Sequence, residues 1–152
     1  MDPDDNSLQS LADYLSGYAE EYVSRSGVVC RLKIPVTLPP LTVDGSVRYN
    51  LLLALKETLN NIVRHARATE VEFRMTVVKD GLEIDVADNG KGFDGPAESA
   101  GHGLSNLSAR LETLGGSCEV VSSVGAGTVV RMRLPLPAPA RSTARPADLP
   151  RF

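Results

Sequence analysis

The sequence lacks most of what would direct it to nucleic acid, a membrane or a cysteine-bound metal. Its formal net charge is -3, so there is no global excess of positive charge of the kind a nucleic-acid backbone demands. No apolar run approaches the roughly 18–20 residues that span a bilayer; the longest, such as residues 51–55, are far shorter. The first residues, Met1-Asp-Pro-Asp-Asp-Asn6, are acidic and lack the basic and apolar regions of a signal peptide. Cysteine occurs twice, at Cys30 and Cys118, each alone in a strand-like run with no Cys-x-x-Cys or Cys/His cluster. Two reduced thiols in a cytoplasmic protein are expected. No internal repeat is present.

What is there suits one globular domain. The 152 residues are enough for a proper core, and 42% hydrophobic with 23% charged residues is the balance of an ordinary globular protein. Residues 7–24 read as a helix, because Leu8, Leu11, Leu15, Tyr18, Ala19 and Tyr22 recur at spacings of three and four. Asn6 or Ser7 caps it and Gly27 ends it. Residues 28–34 read as a strand, and Pro35, Pro39 and Pro40 make a loop of the next stretch. A second helix is expected from Asp44 or Ser46 to about Arg67. In residues 70–77, Val71, Phe73, Met75 and Val77 alternate with polar neighbours, the signature of a strand with one buried face. Asp80-Gly81 reads as a hairpin turn, and the return strand has Leu82, Ile84 and Val86 on one face. Residues 89–103, rich in glycine and polar residues, suit a mobile loop. Residues 104–114 read as a third helix closed by Gly115-Gly116. Two strands come next, around 118–124 and 128–134, joined by the Gly125-Ala-Gly127 turn. The domain is expected to span residues 1–135. Residues 136–152, rich in Pro, Ala, Arg and Ser without apolar periodicity, read as a disordered tail. This order predicts a two-layer α/β sandwich: a mixed, mostly antiparallel sheet covered on one face by three helices.

Three segments carry candidate chemistry. At about 100° per residue, Leu51, Leu55, Leu59, Ile62 and Ala66 form an apolar stripe on the second helix. Glu57, Asn61, Arg64 and His65 form a polar stripe roughly opposite. A core face and a solvated face would explain this pattern. Yet Asn60 and Asn61 lie in mid-helix, where asparagine costs about half a kcal/mol relative to alanine. A carboxamide oxygen is a neutral ligand for Mg2+, a glutamate one turn earlier can hold a metal-bound water, and an arginine can meet phosphate. In Asp88-Asn89-Gly90, a simple hairpin turn competes with a second reading. Asp88 continues the face of Leu82, Ile84 and Val86, so its carboxylate points toward the core and needs a partner. An exocyclic amino group of a nucleotide base would serve, with Gly90 and Gly92 letting the backbone approach a flat ring. Thr128 shares parity with Val130, Met132 and Leu134, so its hydroxyl faces the same space or is satisfied within the core. Gly101 and Gly103 lead straight into a helix, whose free N–H groups favour phosphate. His102 reads as a loop residue rather than a catalyst, with no acidic or nucleophilic partner fixed beside it.

Together, Glu57-x-x-x-Asn61-x-x-x-His65, Asp88-Asn-Gly90-Lys-Gly92-Phe93, Gly101-His-Gly103-Leu104 and Gly125-Ala-Gly127-Thr128-Val129 occur in an order that resembles the GHKL ATPase superfamily. That superfamily takes in gyrase, Hsp90, MutL and histidine kinases, and has the Bergerat fold. The resemblance covers residues 51–134. Gly103, Arg110, Leu114-Gly115-Gly116, Ser122 and Gly127-Thr128 are most similar to sensor histidine kinases of the NarL-partner type. It implies that Asn61 binds Mg2+ and Glu57 sits near that metal's waters. Arg64 and His65 would lie near the phosphates of ATP, and Asp88 would bind adenine with help from Thr128. Gly90, Gly92, Gly101, His102, Gly103 and Leu104 would shape the pocket and a lid spanning residues 90–103, which orders over nucleotide. About fifty residues precede Glu57 and they contain no histidine, whereas such kinases carry the phospho-accepting histidine on a dimerising helix before this domain. A monomeric portion of a longer cytoplasmic sensor is therefore expected. Its partners would be the dimerisation and phosphotransfer domain of the parent kinase and, indirectly, a response regulator. An anti-sigma-factor-like serine kinase, a water-using ATPase with Glu57 as general base, and a non-catalytic interaction module are the competing readings.

Overall fold

The structure, a computed structural model, describes residues 6–94 and 104–136. Helix α1 (Leu8–Arg25) begins where the Ser7 hydroxyl accepts from the Ser10 amide at 3.0 Å, which satisfies one of the free N–H groups of the first turn. Leu8, Leu11, Ala12, Leu15, Ala19 and Val23 form its buried face, and Gly27, at φ +76°, turns the chain out. Strand β1 (Val29–Lys33) comes next. Helix α2 (Gly45–Asn61) is capped by the Asp44 carboxylate, which accepts from Ser46 N at 2.7 Å.

The helix does not run on in α form to Arg67. From Ile62 to Ala66 it widens into a π-turn, and Arg67 ends it in the left-handed region at φ +55°. Such a turn inserts a residue into the spiral and re-aims the side chains after it. Strands β2 (Glu70–Val78) and β3 (Gly81–Asp88) form the expected hairpin, with Asp80 at φ +63°. Helix α3 (Leu104–Glu112) and strands β4 (Ser117–Ser123) and β5 (Gly127–Pro135) complete the unit.

The five strands form one sheet in the order β1-β2-β3-β5-β4. The β1–β2 pair is parallel and the other pairs are antiparallel. Helix α1 packs on β1 and β2, α3 packs on β4 and β5, and α2 touches both of the other helices. The core lies between the layers, where Phe73, Met75, Ile84, Val86, Val130 and Met132 from the sheet meet the buried leucines of the helices. The opposite face of the sheet is charged and solvated. This is the one-face-covered sandwich that strand alternation calls for, with hydrophobic side chains inward and polar ones outward.

Cys30 and Cys118 are both free, on strands at opposite edges of the sheet. Burial pushes the Cys118 thiol up to about 11, so it stays protonated and unreactive at neutral pH. Leu136, expected to begin the tail, is buried and donates its amide to the Asp80 carbonyl at 3.1 Å. Residues 137–152 lie outside the described residues. Among the described residues no helix is long and apolar enough to cross a membrane.

Candidate functional site

A cavity opens between the last turns of α2 and the central strands. It is lined by Thr58, Asn61, Ile62, His65 and Ala66 from the helix, Asp88 from β3, Lys91, Gly92 and Phe93 from the loop after it, and Thr128 and Val130 from β5. The helical part of this lining follows from spacing: Thr58, Asn61, Ile62, His65 and Ala66 recur at three and four residues and share one face at the end of the helix, where the apolar and polar stripes meet.

Asp88 sits at the floor. Its register opposite Thr128 puts it on the covered face of the sheet, and only 9% of it is exposed. Burial raises its pKa above the ordinary carboxylate value, and hydrogen bonds from the backbone N–H groups of Gly90 and Thr128 work against that rise. The Gly90 bond, to Oδ1, is 2.8 Å long. No lysine, arginine or histidine among the described residues forms an ion pair with it. The carboxylate is held in place by amides rather than neutralised by a cation, which leaves acceptor capacity directed at the cavity.

The loop after Asp88 is clamped backbone to backbone. Lys91 N donates to Ala66 O and Gly125 N donates to Lys91 O, both at 2.7 Å. A Cβ on Gly90 would lie 2.2 Å from Ala66 O, and one on Gly92, at φ +65°, would lie 2.0 Å from Ser123 O. Glycine is required at both places, but the close neighbour is the chain's own backbone rather than a flat ring.

Asn89, which sequence reasoning reads as a turn residue, is a second clamp. Its Oδ1 accepts from Thr69 N at 2.9 Å and Glu70 N at 3.0 Å, while its Nδ2 donates to Thr69 Oγ1 at 2.9 Å. The Asn-Gly pair carries no sign of a partner twenty residues back. Sequence reasoning also misses Thr58, Lys91 and Phe93 as lining residues. Thr58 is one turn before Ile62, and that helical spacing is the signal that could have found it.

The structure thus gathers Asn61, His65, Asp88, Gly92 and Thr128 around one space, with Gly90 bonded to Asp88 beneath it. It does not bring all the candidates there. Arg64 is exposed and does not line the cavity. Glu57 lines a neighbouring cleft with Tyr18, Tyr22, Leu53, Lys56, Asn60 and Arg110. The two adjacent asparagines part company: Asn60 Oδ1 accepts from Tyr22 OH at 3.4 Å on the cleft side, whereas Asn61 Nδ2 is buried with no hydrogen-bond partner. Leu104 opens α3. Gly101, His102 and Gly103, and the larger part of the expected lid, lie outside the described residues.

Chemically, the cavity offers apolar walls (Ile62, Ala66, Phe93, Val130) around one buried carboxylate, one carboxamide and the hydroxyls of Thr58 and Thr128, of which Thr58 already donates to Ala54 O at 2.8 Å. That combination suits a flat heterocycle with an exocyclic amino group. No cluster of three His, Cys, Asp or Glu side chains among the described residues could hold a metal alone. A single carboxamide fits Mg2+ nonetheless, because that ion usually takes few protein ligands and completes its shell with water and phosphate oxygens.

Sequence comparison makes the family definite. Residues 47–138 match the family described as histidine kinase-, DNA gyrase B-, and HSP90-like ATPase. The chain belongs to this family. Among its relatives, it is similar to the sensor histidine kinase LiaS of Bacillus subtilis, with 30% identity over 95 residues, 62% of this chain and 26% of that one. It is similar also to the nitrate/nitrite sensor protein NarQ of Escherichia coli, with 33% identity over 102 residues, 66% of this chain and 18% of that one. The chain therefore spans about a quarter or less of the length of these relatives. In fold it resembles the histidine kinase domain of the blue-light activated histidine kinase from Erythrobacter litoralis EL346. That match has a TM-score of 0.66 at 22% identity and covers 83% of this chain and 61% of the other.

Proposed function

We propose that this chain is the ATP-binding catalytic domain of a two-component sensor histidine kinase. It would position Mg-ATP for phosphoryl transfer to a histidine on a dimerisation domain outside this sequence. The observation that carries the reading is Asp88: a buried carboxylate with no cation partner among the described residues, aimed into an apolar cavity beside a threonine hydroxyl. Its acceptor lone pairs would take the exocyclic amino group of adenine, with Thr128 assisting. Asn61, whose side chain lines the same cavity, would bind Mg2+ through its carboxamide oxygen. The metal supplies charge neutralisation at the phosphates, where His65 would also lie.

Arg64 and Glu57 would act outside the base cavity, Arg64 from solvent toward the phosphates and Glu57 toward the metal's waters from its own cleft. Gly101, His102, Gly103 and Leu104 would belong to the lid. The transfer itself needs little from the protein beyond positioning and charge neutralisation. A response regulator would receive the phosphoryl group later, in the cytoplasm, and this domain alone would remain monomeric and unable to phosphorylate itself.

Calorimetric titration with a non-hydrolysable ATP analogue and Mg2+ tests the reading. Micromolar to sub-millimolar binding, lost in Asp88→Asn and stripped of its Mg2+ dependence in Asn61→Ala, is the expected result. No binding by the intact chain would overturn it.

A further inference from the structure

The cavity grades from a dry end to a wet one. Thr58, Ile62, Asp88 and Val130 are buried and close its inner end. Asn61 and His65 are half-buried, and Lys91 is the exposed member of the lining. A ligand whose uncharged ring enters the apolar end must leave its ionised groups at the other, because an unpaired phosphate in an apolar cavity is very costly. The basic side chains in the lining are His65 and Lys91.

Lys91 is held with unusual firmness for an exposed lysine. Its amide donates to Ala66 O and its carbonyl accepts from Gly125 N, both at 2.7 Å. Gly90 and Gly92 on either side are packed so closely on backbone that neither could carry a Cβ. The backbone of Lys91 is therefore fixed at the cavity, next to the residue that follows His65. Its ammonium makes no ion pair among the described residues, although Asp88 lines the same cavity. The ammonium has three protons to donate and a flexible stem to aim them with. A buried carboxylate without a cation and an exposed cation without an anion divide the cavity by charge. That polarity complements a ligand with an amino-bearing ring at one end and an anion at the other.

We propose that Lys91 is a phosphate-binding residue of this site: its ammonium meets a non-bridging oxygen of the nucleotide's phosphate chain where that chain leaves the cavity. The inference rests on the nucleotide-binding reading. It adds a cation supplied by the loop after β3 rather than by α2, one that separates nucleotides from nucleosides.

Adenosine and ADP test it, each titrated by NMR against the intact chain, Lys91→Met and Lys91→Arg over a range of salt concentrations. Lys91→Met keeps the reach of the side chain and removes its charge. ADP should bind this variant about tenfold more weakly than the intact chain, whereas adenosine affinity should change by no more than about twofold. The salt dependence of ADP affinity should flatten in the same variant, because a screened charge contact has been lost, and Lys91→Arg should restore both properties. Should Lys91→Met unfold or associate, Lys91→Gln takes its place with the same expectations. Equal losses for adenosine and ADP would make Lys91 a contact of the base or sugar. An ADP affinity within about twofold, with an unchanged salt slope, would make it a solvated lysine. Either result overturns the inference and leaves nucleotide binding in place. If adenosine binds too weakly to titrate, the ADP affinity and its salt slope decide alone. Failure of the intact chain to bind ADP at all defeats both readings.

Discussion

Asp85 and Asp88 leave the same strand, β3, on opposite faces of the sheet. Asp85 points to the open face, where Arg131 grips both of its oxygens, Nε to Oδ1 at 3.0 Å and Nη2 to Oδ2 at 3.2 Å. Asp88 points to the covered face and meets only backbone amides and a cavity. A strand alternates its faces residue by residue, so a separation of three separates a carboxylate matched within the chain from one held for an outside donor. The same contrast holds across the whole sheet. The open face is a lattice of charge in which Arg133 pairs with Glu83, Arg74 with Glu72 and Arg31 with Glu70. The covered face is apolar save for Asp88, Ser122 and Thr128 at one end.

The largest effect should come from the packed half of the covered face. Phe73 is fully buried, so Phe73→Ala removes its transfer energy and leaves a void, at a cost of about 3–5 kcal/mol. Thr76→Ala, on the exposed face of the same strand, should change stability by no more than about 0.5 kcal/mol. Chemical denaturation midpoints of the two variants measure the gap, and equal costs would mean that the layers do not meet where described.

Next comes the aspartate pair itself. Asp88→Asn turns an acceptor into a group that also offers N–H toward an amino group, and should weaken ATP-analogue binding by about 100-fold, ~2.7 kcal/mol. Asp85→Asn should leave binding within about twofold, since its partner is Arg131 rather than ligand. Stability should move the other way: the Asp88 variant, freed of a buried carboxylate, should melt at or above the temperature of the intact chain. A comparable loss of binding in both variants would remove the distinction between the two faces.

Much of this is legible in the sequence, and the reason is parity. Strand alternation places Asp88 and Thr128 on the core side without any knowledge of the fold, and it separates them from Asp85 and Arg131 equally well. Helical spacing carries the wall of the cavity too, since Thr58, Asn61, Ile62, His65 and Ala66 recur at three and four residues, although the π-turn from Ile62 to Ala66 leaves no mark in residue type. Spacing does not tell which elements face a stripe, and so it misses Asn60 and Glu57, whose neighbours in the cleft come from α1 and α3. Asn89 escapes for another reason: its partners, Thr69 and Glu70, are distant in sequence, and a short-range turn signal does not disclose them.

Acidity offers a subtler probe of the covered face. Burial raises the pKa of Asp88 above its ordinary value of 3.8, so the folded chain binds a proton at a pH where the unfolded chain does not. With more protons on the folded state, stability rises as pH falls through the folded-state value toward 3.8. The contribution is fully present below 3.8, and is lost as pH rises through the raised value. Ligand binding should run in the opposite sense, because protonation removes acceptor capacity from the group that meets the base. Denaturation and titration profiles of the intact chain and Asp88→Asn, compared over that window, should therefore differ in both respects. Identical profiles would mean that Asp88 titrates as an exposed carboxylate.

The smallest effect is expected on the open face. Arg131 has Asp85 at 3.0 Å, Glu83 at 3.8 Å and Glu119 at 4.0 Å, yet its side chain is 35% exposed, and solvent and salt weaken such pairs. A double-mutant cycle of Arg131→Ala with Asp85→Ala should give only a small coupling at low ionic strength, falling as salt is added. Neither variant should alter nucleotide affinity. If the coupling were large and insensitive to salt, or if Arg131→Ala weakened binding, the charged lattice would be communicating with the cavity through the sheet. The open face would then form part of the site rather than a solvated outer surface.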